Sequence, residues 1–245
     1  MLSERIAGFS MTRKISGDHH GQLLSRMETF IRLKDVLRSG WELRGISQPE
    51  SVADHSWGTA MLCLLLAPPE LDRARTVAIA LVHDLAEVET GDIPRRMRND
   101  ARAVTPEEKA LRERQAIDRL TSGTLHGTRS WTASAPLLED EPPSGAPLEE
   151  VSALWEEYES GRSPEARFVR DMNLIDMCLQ ALVYERDRRY DPDAENEAFP
   201  EYRRLDEFFA TSRGRITTEL GGSLFEAIES RYHGIRDEGE GADQQ

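Results

Sequence analysis

Cysteine is scarce in this chain of 245 residues: Cys63 and Cys178 are the only two. Both stand in apolar stretches with helical spacing, the pattern of buried core thiols in a reducing compartment rather than of a disulfide framework. A basic excess is also lacking, since the formal net charge is −14. Proteins that grip nucleic-acid polymers need a basic face to release condensed counterions, so no nucleic-acid polymer is expected as a partner. A small phosphorylated ligand remains compatible, because a few local arginines and a metal can hold it against an acidic background. Lysine occurs only at Lys14, Lys34 and Lys109, a bias that carries no functional weight. The longest apolar run, Ala60 to Ala67, falls far short of the roughly 20 residues of a membrane span. The opening MLSERIAGFSMTRK has no apolar core of a signal peptide. A cytoplasmic protein with no membrane partner is the expectation.

What is present is helical periodicity, with no alternating β pattern of useful length and no internal repeat. Apolar positions recur at helical spacing over 22–38, stopping at Ser39-Gly40, and 41–45 reads as a connector. A second helix starts near Ser51 and ends at Pro68-Pro69, and a third runs from about Asp72 to Glu89. The third is almost wholly apolar from Val77 to Ala86, which places it inside the fold. Thr105-Pro106-Glu107-Glu108 is a capping signature that opens a helix to Ser122. Helices resume over 148–158 and 164–186, the latter with a stripe of Phe168, Met172, Ile175, Leu179 and Leu182, and again over 202–211 and 217–232. The expected architecture is a single all-α helical bundle over 21–236. A loose tail at 1–20, a Gly/Pro/Ser/Thr-rich surface insertion at 123–147 and a disordered acidic tail at 237–245 complete it.

Chemistry concentrates around His83-Asp84, which sit in an apolar helix. An imidazole and a carboxylate buried together are costly unless neutralised or bound to something. Glu87 lies one helical turn beyond His83 on the same face, Asp92 follows in the exit turn, and His55 stands in the preceding helix. Two imidazoles and a carboxylate make a first shell for one divalent metal, with positions left open for water. Mn, Co, Mg, Zn and Fe all suit such a set.

The segments Pro49-Glu50-Ser51-Val52-Ala53-Asp54-His55-Ser56 and Ala80-Leu81-Val82-His83-Asp84-Leu85-Ala86-Glu87, followed by Gly91-Asp92-Ile93-Pro94, resemble the HD-domain phosphohydrolase superfamily, in its 5'-deoxynucleotidase branch. Leu154-Trp155-Glu156-Glu157-Tyr158-Glu159 and Ala166-Arg167-Phe168-Val169-Arg170 continue the likeness. The resemblance implies an HD-domain helical bundle with His55, His83 and Asp84 as metal ligands. It implies Glu87 as the acid that orients or deprotonates the attacking water, and Asp92 as the residue that contacts the sugar and assists at the phosphate. Trp41 matches the aromatic of the substrate pocket. Gly40 stands where bacterial relatives carry an arginine before that aromatic, so Arg44 becomes a candidate for phosphate binding. Homodimeric assembly is a further implication.

The likeness departs at the fourth metal ligand, where relatives have Asp and this chain has Asn173. Asparagine can ligate through its carbonyl oxygen but brings no charge. Asp176, about one turn on along the same face, is the alternative ligand, whereas Asp171 points nearly opposite. Arg95 and Arg96 join Arg44 as candidates for clamping phosphate oxygens. The function expected is a metal-dependent phosphomonoesterase acting on a nucleoside 5'-monophosphate or similar metabolite. Two alternatives exist: a nucleotide-binding regulatory module without turnover, and a dinuclear HD phosphodiesterase or oxygenase. The second is weakened because His126 is the only histidine between the doublet and the last ligand.

Overall fold

The computed structural model describes residues 17–93, 104–122, 147–192, 200–202 and 204–242. Helix α1 (Gly17–Ile31) already includes four residues expected in the loose tail, and it ends earlier than its periodicity suggests. A single 3-10 turn at Arg32–Asp35 follows. The backbone of 36–38 then pairs with 50–52 instead of continuing a helix: Val52 donates to the Val36 carbonyl at 2.8 Å and Arg38 to that of Glu50 at 3.1 Å. Non-local pairing thus overrides the local apolar pattern. Where a connector was expected, residues Ser39–Leu43 form the short helix α2.

Helix α3 (Val52–Leu66) begins with a reciprocal cap, the Ser51 hydroxyl accepting from Asp54 N–H while the Asp54 carboxylate accepts from Ser51 N–H. Helix α4 (Arg73–Val82) is capped by Asp72 and stops sooner than the expected 72–89. Its continuation tightens to three-residue bonds, Leu85 N–H to Val82 and Glu87 N–H to Asp84, before α5 (Glu87–Thr90). Gly91 ends α5 with φ of +70°, a conformation that glycine adopts without strain. Helix α6 (Pro106–Thr121) has Thr105 as its cap, as the signature implied. The remaining helices are α7 (Pro147–Ser160), α8 (Pro164–Arg186), α9 (Asp206–Ser212) and α10 (Glu219–Ala242). Helix α10 runs six residues into the segment expected to be a disordered tail. The insertion expected at 123–147 lies outside the described residues, apart from its last.

The described residues hold no strand, only an isolated antiparallel bridge between Leu37 and Ser51. The fold is all-α. Helix α8 is its axis, packed against α3, α4 and α10. Phe168, Val169, Met172, Ile175, Cys178 and Ala181 are fully buried there, each large apolar side chain worth roughly 1.5–3 kcal/mol of transfer free energy. Burial pushes both thiols up to about 12, so Cys63 and Cys178 stay protonated and inert. A smaller cluster of Leu85, Ala86, Ala116, Ile117, Leu120 and Trp155 joins α5, α6 and α7, and Val82 packs against both cores. The turn carrying His83 and Asp84 lies at this junction, with apolar support on both sides. Among the described residues, no helix is long and apolar enough to cross a membrane.

Candidate metal centre

The cap on α3 fixes where that helix begins, and His55 falls in its first turn. His83 follows the last residue of α4, and the close packing of α3 on α4 brings the two imidazoles together. Their ring centroids are 5.3 Å apart and both side chains are buried. On each ring Nδ1 is already engaged: that of His55 meets Asp176 Oδ2 at 2.7 Å, and that of His83 meets the Ala80 carbonyl at 2.7 Å. Each Nε2 is left to face Asp84 Oδ2, at 3.7 Å from His55 and 3.1 Å from His83. Neither Nε2 makes a well-formed hydrogen bond among the described residues, although both are fully buried. Buried polar atoms are seldom left so, and two imidazole nitrogens converging with a carboxylate are the donor set a divalent cation takes. The ligand atoms of His55, His83 and Asp84 lie within 4.8 Å of one another. The residues fit the group.

Charges ring this trio. Burial opposes the Asp84 carboxylate, but the facing His83, with Arg38 and His55, outweighs it and holds the group well below the usual carboxylate range. Burial opposes the His83 imidazolium as well, yet Asp84 at close range leaves its pKa raised. Glu87 shows the contrary balance. Burial first, then the neighbouring charges of Asp84 and Asp92, push its carboxyl well above the ordinary range near 4.5. Its Oε2 is buried without a partner, and Lys109 stands 3.7 Å from Oε1. Arg38 reaches both Asp84 (3.4 Å) and Asp92 (4.0 Å). Asp92 in turn ties the exit of α5 to the start of α2, its Oδ2 accepting from Ser39 N–H at 2.7 Å.

Several expected site residues lie elsewhere. Trp41 is 1% exposed, meets Tyr184 edge-to-face and packs tilted on Phe208, and its Nε1 donates to Glu50 at 2.9 Å. It is a core residue behind the site and presents no face to a ligand. Arg44 is also buried: its guanidinium pairs with Glu207 and donates to the carbonyls of Tyr202 and Arg204. Those contacts bury its guanidinium and use it to pin the segment before α9. Asp176 does not meet the cation-facing edge of His55 but the Nδ1 edge. Asn173 donates its amide to Tyr158 Oη at 2.6 Å, and the Tyr158 ring packs 5.0 Å from that of His83. The Asn173 amide nitrogen is thus committed to Tyr158, a neighbour of His83. Asp171 points away, accepting from the backbone of Thr217 and Thr218. Arg95 and Arg96 lie outside the described residues.

Sequence reading missed Arg38, Lys109 and Tyr158. Arg38 was legible only as the last residue of a helix, and the backbone pairing that turns it toward Asp84 is non-local. Lys109, one of three lysines in the chain, sits in the first turn of α6 in a stretch that reads as solvated.

The family described as HD domain matches residues 30–210. The chain is 34% identical over 219 residues to 5'-deoxynucleotidase HDDC2 of Danio rerio, covering 89% of this chain and 92% of that protein. It is 32% identical to 5'-deoxynucleotidase HDDC2 of Homo sapiens, covering 82% and 81%. Among solved structures, a protein from Pyrococcus horikoshii OT3 superposes with a TM-score of 0.59 at 26% identity, covering 86% of this chain and 98% of that one.

Proposed function

The chain belongs to the HD-domain family, and from that premise we propose that it is a metal-dependent phosphomonoesterase releasing phosphate from a nucleoside 5'-monophosphate. A deoxynucleotide is the substrate class that the names of its relatives indicate. One observation carries the reading: two buried imidazole nitrogens without a well-formed hydrogen bond converge on Asp84, beside the buried Glu87 carboxyl whose Oε2 also lacks one. His55, His83 and Asp84 would hold the metal, and Asn173 would complete the set through its carbonyl. When bound, a divalent cation polarises a phosphoryl oxygen and lowers the pKa of coordinated water. A neutral Asn173 leaves the centre more positive than a carboxylate as fourth ligand would, which favours a phosphate dianion.

The chain's own residues supply the rest. Glu87, with Oε2 unpartnered, is placed to orient a water and exchange a proton with it. Arg38, which reaches both Asp84 and Asp92, takes the phosphate-binding role in place of Arg44. Asp92 keeps Oδ2 on Ser39 and has Oδ1 for the sugar or the leaving oxygen. Arg95 and Arg96 follow Asp92 closely in sequence and remain candidates for the outer phosphate oxygens. The described residues hold two groups that could take an ion, His55-His83-Asp84 and Glu50-His55-Asp176, and because they share His55 they do not supply separate histidines for two ions.

Phosphate release from a panel of nucleoside and deoxynucleoside 5'-monophosphates, with Mn²⁺, Co²⁺ or Mg²⁺ added, tests the proposal. We expect release that is abolished by His83→Ala and Asp84→Ala. Tight nucleotide binding without release under every metal would favour the regulatory-module reading instead. Homodimeric assembly belongs to the same reading, supported by the exposure of Trp57 and Leu65 on α3, and sedimentation velocity checks it. Unpaired, buried Cys63 and Cys178 support a reducing, cytoplasmic setting.

A further inference from the structure

We propose that Asp176 is the positioning residue of the centre, accepting a hydrogen bond from His55 Nδ1 and so fixing the tautomer whose Nε2 is free for a cation. The argument starts from the imidazole. Its two nitrogens point in diverging directions, so a carboxylate on Nδ1 is out of reach of an ion on Nε2. Asp176 Oδ2 stands 2.7 Å from Nδ1, while Asp84 faces Nε2 of the same ring. A neutral imidazole carries one proton, and a carboxylate at hydrogen-bond distance on a buried ring places it on Nδ1. Nε2 is then a lone pair directed at the centre. A metal-bound histidine commonly has this second partner, which sets both the ring's orientation and its basicity. His83 reaches the same end with a backbone carbonyl, that of Ala80.

The packing of α3 on α8 is shaped around this contact. Gly58, one turn beyond His55, faces Asp176 so closely that a Cβ there would overlap its carboxylate. The glycine costs a helix interior about 1 kcal/mol relative to alanine, a loss with no local compensation. It leaves the notch through which Asp176 reaches the ring. Glu50 closes the other side: its carboxyl oxygen, the His55 nitrogen and the Asp176 oxygen lie within 4.8 Å of one another, and Trp41 Nε1 holds Glu50 in place.

This inference rests on the metal-centre reading above but is decided separately from it. The primary measurement is the ring tautomer of His55 in ¹⁵N-histidine-labelled, metal-free full-length protein, at a pH where imidazoles are neutral. In the wild type we expect Nδ1 protonated and Nε2 bare. Asp176→Ala removes the acceptor and should shift His55 toward the Nε2-protonated form. Divalent-metal affinity by calorimetry should fall about 10–100-fold, the range for loss of such a partner. Gly58→Ala is the second variant, in case Asp176→Ala does not fold. It favours the helix while displacing the carboxylate, so a weakened α3 cannot account for a loss, and it should shift the tautomer in the same direction. An Nδ1-protonated His55 in both variants, or an Nε2-protonated ring in the wild type, overturns the inference. A wild type with the expected tautomer that binds no divalent metal upholds the hydrogen-bond role and sinks the metal centre.

Discussion

Glu87 behaves oppositely to what a solvated acid would do, and the difference is measurable. Below about pH 4.5 Glu87 is protonated in the folded and the unfolded chain alike, and its burial has no pH-dependent cost. As pH rises, the unfolded chain releases the proton first while the folded chain keeps it. The metal-free protein therefore loses stability until the folded carboxyl itself ionises. Glu87→Gln removes that loss. It should stabilise the metal-free protein at neutral pH by about 1–3 kcal/mol, with the gain vanishing in acid, and should reduce turnover at least about 100-fold. Thermal melts across pH, set beside phosphate-release rates, check both. Arg38 and Arg44 form a second contrast. Arg38→Ala should raise KM and lower kcat in a folded protein. Arg44→Ala strands the buried Glu207 and should cost about 3–5 kcal/mol of stability, read in urea, with KM unchanged in whatever remains folded.

At the scale of the element, the start of α3 decides where His55 sits. Ser51→Ala breaks the reciprocal cap and should cost about 1 kcal/mol, as should Thr105→Ala at the start of α6. The two should differ at the centre. Loosening the first turn of α3 moves a proposed ligand, whereas α6 contributes only Lys109, which lies beside Glu87 rather than on the trio. Equal melting shifts with weaker metal binding in Ser51→Ala alone is the outcome to look for by calorimetry. The break after α4 has a similar role. Tight three-residue bonds at 82–87 replace the continuous helix that apolar periodicity implied, and they set the direction of Asp84 relative to His83.

For the whole molecule, a centre that exists only when α3, α4 and α8 are packed should couple metal binding to folding. A cation that binds the folded chain alone stabilises it by about 2.7 kcal/mol at a concentration of 100 Kd. Differential scanning with Mn²⁺ against a chelator should show that rise in the wild type and none in His83→Ala. The same coupling explains why the trio lies between two apolar clusters: a mobile junction could not hold two imidazole nitrogens buried and unpartnered at fixed distances.

Local sequence determined the helices that carry their own signals. Ser51, Thr105 and Ser163 cap α3, α6 and α8 as short-range chemistry requires, and the apolar spacing of 164–186 is enough to predict a helix with one core-facing stripe. The types and order of His55, His83, Asp84 and Glu87 pointed to a metal centre, and the hydrolase reading came from the resemblance of the surrounding segments to HD-domain phosphohydrolases. Tertiary structure decided everything that depends on direction. It set which edge of His55 Asp176 meets, put Arg38 rather than Arg44 at the carboxylates, and sealed Trp41 into the core. Each of these follows from contacts between segments distant in sequence, where hydrogen-bond geometry and packing outweigh any preference that a neighbouring residue can express.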